Sequence, residues 1–331
     1  MTTRIQYVGN VKLSDLSQRL YVYASAAARK ALETPSEVDI LGAVQRASAI
    51  GEAFEWLTRS AIAKVHPALL AKHTANKASA SLVALTGSAT TTLPAAELRT
   101  VDMSVAVQTV QALYASMTLP AAAVDQVLSV RNAAAHMAMS DADSTHAALV
   151  ELTALAKILL DAVERSEGDF WGEENLDMVV GLREKRLERL EAAIQMKISA
   201  AQARYRELIG DLGAEETARI VALLNSRRGR FYVPPDEEDH AEDCVACPGR
   251  AIVTYLRVPA DDDALVMREG YVERPVWLVA EALVCPVCAL ELDDEELASL
   301  ERFEYSSESE DPIIEDPADD YEPDWKEFSG R

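Results

Sequence analysis

The sequence predicts a mainly α protein: a helical bundle, a helical connector and a small β-rich metal ribbon. Apolar residues recur every three or four positions through most of residues 14–230, the period of helices that bury one face. After Pro234-Pro235 the runs turn β-branched and aromatic, as strands require. All 4 cysteines stand in two Cys-x-x-Cys pairs beside those runs. A chain of 331 residues, 49% of them hydrophobic, has apolar material for about two cores.

Ser14 is placed to cap a first helix with a stripe of Leu16, Leu20, Tyr23, Ala27 and Ala31, stopped before Pro35. Ser36 opens a longer helix with Val44, Ala47, Gly51, Phe54, Leu57, Ala61 and Val65 at helical spacing, ended by Pro67. Residues 73–103 are rich in Ser, Thr and Ala and weakly periodic, which predicts a long loop with short helical pieces. Helical patterns follow near 104–117, 121–138 and 144–164. Asp143 or Ser144 caps the last, which carries Leu149, Leu152, Ala156, Leu159 and Val163. Together these form a bundle over residues 10–165.

Residues 166–232 read as the connector. After Asp169-Phe170-Trp171-Gly172, a long charged helix carries Leu187, Leu190, Ile194, Ile198, Ala201, Tyr205, Leu208 and Leu212, close to a heptad seam. That seam suits a helix packed on its own bundle or a dimerising coiled coil. Gly210 and Gly213 break it, and a short helix runs to Arg227-Arg228-Gly229-Arg230. Residues 233–300 form the ribbon, with strand-like runs at 252–256 and 276–279. Residues 301–331 are acidic and Pro-studded, the composition of a disordered tail.

The formal charge of −23 is unevenly placed. Residues 233–331 hold 29 acidic and 7 basic side chains, against 26 and 25 in residues 1–232. Carboxylates repel phosphate, so the acidic part should dock protein, on itself or on a partner, whereas the near-neutral part is free to meet nucleic acid. The tail also sets Tyr321, Trp325 and Phe328 among carboxylates, so it could occupy a nucleic-acid cleft in cis. No run of about 20 apolar residues predicts a membrane span, and the first residues lack a signal-peptide core, so the expected location is cytoplasmic.

Cys244-Val-Ala-Cys247 and Cys285-Pro-Val-Cys288 have the spacing of two knuckles that deliver four thiolates to one tetrahedral ion. The expected cofactor is a structural zinc, because four cysteines leave no open coordination position. Redox dithiols, disulfides or iron on the same ligands are the alternatives. The segment between the pairs exceeds a minimal ribbon and predicts an inserted hairpin. His240 is read as a bystander.

Arg131-Asn132-Ala133-Ala134-Ala135-His136 stands out in the helix beginning near Pro120. At about 100° per residue, Val124, Val127, Leu128, Ala134, Ala135 and Ala138 form one apolar face with Arg131 in its middle. A guanidinium there needs an anion or a cavity. Asn132 and His136 are an i,i+4 pair on the polar side. Arg131 and His136 lie about 140° apart, so they converge only if the helix frays or a second subunit completes the site.

With its place on the penultimate helix of an α-bundle, this Arg-polar-x3-His segment resembles the HEPN superfamily over residues 10–165. The resemblance implies a metal-independent endoribonuclease, often a toxin or antiviral effector, working as a homodimer with motifs of both chains in one cleft. No catalytic metal is then expected. The substrate 2′-OH attacks phosphorus to give a 2′,3′-cyclic phosphate and a 5′-OH. Arg131 would stabilise the phosphorane, His136 would move protons, and Asn132 would orient the imidazole or hold the phosphate. Some members add an acidic residue from an earlier helix; Glu52 and Glu55 both qualify. His66, His73 and His146 read as surface residues. The rival functions are a non-catalytic zinc-ribbon adaptor or sensor, binding RNA, nucleotide or protein, and a redox switch.

Overall fold

The protein is described from a computed structural model, which covers residues 7–8, 11–33, 40–72, 80–87, 97–114, 117–226, 234, 237–259, 266–268, 271–274, 276–300 and 313–315. It is mainly helical. A strand pair, β1 (Tyr7–Val8) and β2 (Val11–Lys12), leads into α1 (Leu16–Glu33), α2 (Ile40–Val65), α3 (Ala80–Leu85) and α4 (Met103–Leu113). The chain continues through α5 (Ala121–Met137), α6 (Ala142–Ala162), α7 (Glu167–Trp171), α8 (Leu176–Ile209) and α9 (Ala214–Asn225). Next come β3 (Glu237–Asp243), β4 (Arg250–Pro259), β5 (Val266–Arg268), β6 (Tyr271–Arg274), β7 (Val276–Val284) and β8 (Glu291–Asp293). The last elements are α10 (Asp294–Ala298) and β9 (Ile313–Glu315). Two compact units divide inside α8, Met1–Glu188 and Arg189–Arg331. No described helix is long and apolar enough to cross a membrane.

In the first unit α2 is the central helix, packed against α1, α4, α5 and α6. Its sequence explains this place: Ala47, Ile50, Gly51, Ala53, Phe54, Leu57, Ala61 and Ile62 leave little of its circumference polar. The inward face of α1 is nearly all alanine, with Ala24, Ala27, Ala28 and Ala31 buried, so the two backbones approach closely. Tyr21 rather than Tyr23 faces inward; Tyr23 lies at the surface against the Trp56 ring. Ser14 falls in a short 3-10 turn and hydrogen-bonds Asp15 instead of capping α1. Asp141, two residues before the expected cap, caps α6 by accepting from Ser144 N–H at 2.7 Å.

The composition boundary at residue 165 is not where the bundle ends. Phe170 and Trp171 are fully buried in its core, and Phe170 C=O accepts from Ser25 at 2.6 Å and Arg29 at 3.1 Å. Residues 166–188 therefore belong to the first unit, because two large aromatic rings commit that stretch to the core.

In the second unit a four-stranded antiparallel sheet runs β3-β4-β7-β8. Its inner side chains Val253, Tyr255, Leu278 and Leu283 share a core with Ala201, against which Ile198, Tyr205, Val221 and Leu224 also pack. The middle of the heptad seam is thus covered by the ribbon. Leu187, Leu208 and Leu212 at the ends of the seam stay exposed. The inserted segment does form a hairpin, β5 with β6. The tail is not structureless throughout: β9 pairs with β6. The caps and stops at Pro35 and Ser36, His73, the Arg227–Arg230 run and Tyr321, Trp325 and Phe328 lie outside the described residues.

Trp171→Ala should lower the unfolding free energy by about 3–5 kcal/mol, the cost of deleting a fully buried indole, as read by urea denaturation. A loss below about 1 kcal/mol would contradict the placement of α7 in the core.

Candidate functional site

Gly51 on α2 provides the seat for Arg131 of α5. A Cβ at position 51 would come within 2.1 Å of the Arg131 Cγ, so the arginine stem lies directly on the α2 backbone. From there Arg131 Nη2 donates to Glu55 Oε2 at 2.9 Å, one helical turn further along α2. The second Glu55 oxygen takes Arg59, which also donates from Nη2 to Val101 C=O at 3.2 Å. One carboxylate, its side chain only 16% exposed, thus stands between two guanidiniums, and the cluster keeps one surplus positive charge. Arg131 remains 34% exposed and Asn132 is exposed, with Arg131 Nη1 donating to Asn132 Oδ1 at 3.2 Å.

The buried stripe of α5 is Ala123, Val124, Val127, Val130 and Ala134. Ala135 and Ala138, expected on that stripe, are exposed, which moves Arg131 from the middle of the apolar face to its edge. That edge suits a guanidinium with its stem covered and its head half in water. Glu52 is exposed and takes no part in this cluster, so of the two candidate carboxylates Glu55 is the one beside Arg131.

His136 sits in the last turn of α5, exposed, with no hydrogen bond or ion pair among the described residues. Asn132 engages Arg131 rather than His136. The helix does not fray before its end: it persists through Met137 and closes with Ala138 in the left-handed conformation, φ 50°. Arg131 and His136 therefore keep their angular offset of about 140° on one chain. His66 is an exposed cap whose Nδ1 accepts from Ala68 N–H at 3.1 Å, and His146 is half-buried on α6.

The second constellation is the four cysteines. Cys244, Cys247, Cys285 and Cys288 place their sulfurs within 4.8 Å of one another, and none is in a disulfide. The Cys244–Cys288 and Cys247–Cys285 sulfurs are 3.6 Å apart, close to the roughly 3.8 Å edge of a tetrahedron with metal–sulfur bonds of about 2.3 Å. The two knuckles repeat one backbone pattern: Cys244 N–H donates to Gly249 C=O at 3.0 Å, and Cys285 N–H to Leu290 C=O at 2.9 Å. A Cβ on Gly249 would meet Val287 Cγ2 at 2.5 Å, so glycine lets the knuckles approach. Burial pushes the Cys247 thiol up to about 12, and shared hydrogen bonds with neighbouring sulfurs also raise Cys288. Four thiolates at this spacing repel one another unless a cation lies among them, so the cluster could hold a metal ion.

Arg204 of α8 clamps the second knuckle, donating to Cys288 C=O at 2.9 Å and Ala289 C=O at 2.7 Å. Lys197 pairs with buried Glu296 at 2.6 Å. His240 stands outside the cluster, hydrogen-bonded to Glu238 at 3.1 Å. Sequence reading missed Gly51, Arg59 and Arg204. Only Arg59 left a readable signal, its i,i+4 spacing from Glu55. Comparison with protein-family models, with curated proteins and with solved structures finds nothing that matches this chain.

Glu55→Ala strands two guanidiniums and should cost about 2–3 kcal/mol in urea denaturation, somewhat below a fully buried pair. A change within about 0.5 kcal/mol, typical of an exposed pair, would contradict the cluster. Cys285→Ser should abolish tight metal retention and lower the melting temperature of the second unit. Retention of the metal by that variant after dialysis would contradict the four-sulfur site.

Proposed function

We propose that residues 10–165 act as a metal-independent endoribonuclease of the HEPN type. The observation that supports this best is the half-exposed Arg131, seated on Gly51 beside Glu55 and Asn132, on the helix that also exposes His136. Glu55 is shared with Arg59, so Arg131 is oriented without being fully neutralised. In the proposed reaction a base removes the 2′-OH proton, O2′ bonds to phosphorus, the P–O5′ bond breaks, and an acid protonates O5′. Arg131 stabilises the charge that develops on the phosphorane oxygens. His136, exposed in the last turn of α5, moves the protons.

One imidazole cannot serve as base and acid in a single step. Because α5 holds Arg131 and His136 apart, the proposed site is composite: a homodimer presents His136 from both chains to one phosphodiester. A toxin or antiviral role in the cytoplasm rests on the HEPN resemblance alone. The four-cysteine site is proposed to hold structural zinc through Cys244, Cys247, Cys285 and Cys288; bound zinc would lock the knuckles and supply no catalysis. The ribbon's outer face sets exposed Trp277, Val279 and Val284 in strongly acidic surroundings, which favours a protein partner there over RNA.

Total RNA incubated with the full chain, with EDTA added at the start of the assay, should be cut to products with 2′,3′-cyclic phosphate ends. Arg131→Ala and His136→Ala should each lower the rate at least about 100-fold while circular dichroism stays unchanged. Cleavage that requires added magnesium, or that survives His136→Ala, would overturn the proposal. RNA binding without any cleavage would favour the adaptor reading.

A further inference from the structure

The junction of α5 and α6 builds a groove that the proposed chemistry does not use. Ala138 N–H returns to Ala134 C=O at 3.1 Å and Met139 N–H to Ala133 C=O at 3.2 Å, the double closure of a left-handed helix cap. Asp141 then starts α6. Between the two helices lies an open groove of about 270 Å³, lined by Gln126, Ser129, Ala133, Met139, Asp141 and Ser144, with Val130 and Ser140.

Its polar groups are only partly used by the fold. Among the described residues the Ser129 hydroxyl has no hydrogen-bond partner. Gln126 Nε2 donates weakly to Ser144 C=O at 3.4 Å, which leaves its amide oxygen as an acceptor. Asp141 uses Oδ1 for the cap, and the hydrogen bonds from Ser144 hold its carboxyl below the usual carboxylate range. At neutral pH it is therefore an ionised, acceptor-only group. Val130, Ala133 and Met139 supply apolar walls.

A carboxylate repels phosphate, so the groove suits a ligand part that presents hydrogen-bond donors. A groove with three apolar lining residues and an acceptor-only carboxylate suits a heterocycle with two adjacent N–H donors. Guanine has these, N1–H and the N2 amino group, on its Watson–Crick edge. Adenine and cytosine each put a ring lone pair beside the amino group, and uracil offers one N–H between two carbonyls.

Placement on α5 adds to this. At about 100° per residue, the helix surface passes in order from Arg131 through Asn132 and His136 to Ser129 and Ala133. The groove thus adjoins the side of the helix that carries the motif, on the flank away from Arg131.

We infer that the groove is a guanine subsite, with Asp141 reading the base of a nucleotide next to the scissile phosphate. Its place along an RNA strand rests on the endoribonuclease reading; its recognition of the base does not.

The test has two arms. The full chain is titrated with guanosine, inosine and adenosine by saturation-transfer NMR, beside Asp141→Asn. Asparagine caps a helix as well as aspartate does, so α6 keeps its start while the carboxylate is lost. Guanosine should bind at least about tenfold tighter than adenosine, inosine should fall between them, and Asp141→Asn should erase the difference. In parallel, the ends of cleaved RNA are sequenced; wild type should favour a guanine beside the cut, and Asp141→Asn should lose that preference. Equal binding of the three nucleosides, or a preference unchanged in Asp141→Asn, overturns the subsite whether or not RNA is cut. Selective guanosine binding without RNA cleavage upholds the groove as a site for free guanine nucleotide and removes the endoribonuclease reading.

Discussion

A single carboxylate joins two helices of the first unit. Glu55 lies under partial cover between Arg59 and Arg131, and a charge removed from water in this way is tolerated only if it is paired. Pairing ties α5 to α2 at one point, and Gly51 makes that point reachable by removing the side chain that would block the Arg131 stem. The guanidinium is consequently held in direction while its outer edge stays in water. A freely mobile surface arginine would lose rotamer entropy on gripping a phosphate; one already oriented by Glu55 loses less. The tie that fixes the helix pair is the same one that aims the cation.

The second unit is organised differently. Its sheet is small and strongly acidic, and short strands with such self-repulsion need help to stay folded. Arg204 on the carbonyls of the second knuckle and Lys197 on buried Glu296 supply part of that help, beside four sulfurs that could hold a metal ion. Both cations come from α8, whose middle also carries the apolar residues that meet the sheet. The helix acts as a spine for the ribbon and neutralises part of its charge.

Much of this was legible in the residues. Helical periodicity and the stop at Pro67 placed the principal helices, and the paired Cys-x-x-Cys spacing located the four-sulfur cluster, because both are local patterns. What local pattern could not supply was the partner of each face. The seam from Ile194 to Tyr205 has the right period for a coiled coil, and period alone cannot distinguish a second helix from a sheet. Phe170 and Trp171 looked like the start of a connector, yet their size commits them to the bundle core. Glu52 and Glu55 are equivalent in spelling; only the azimuth of α2 against α5 separates them. The offset of Arg131 from His136 was readable from the wheel, and α5 preserves it by running unfrayed to Met137.

The account is tested most directly by the nitrogen-15 resonances of the Arg131 side chain during titration with an RNA whose scissile nucleotide is 2′-deoxy, which binds without being cut. The account predicts that the Arg131 guanidinium signals shift and saturate with the RNA, and that Glu55→Gln broadens them in the free protein as the arginine loses its tether. Arg131 signals that stay in place while RNA saturates another surface would contradict it, because the cation held by Glu55 would then have no phosphate to meet.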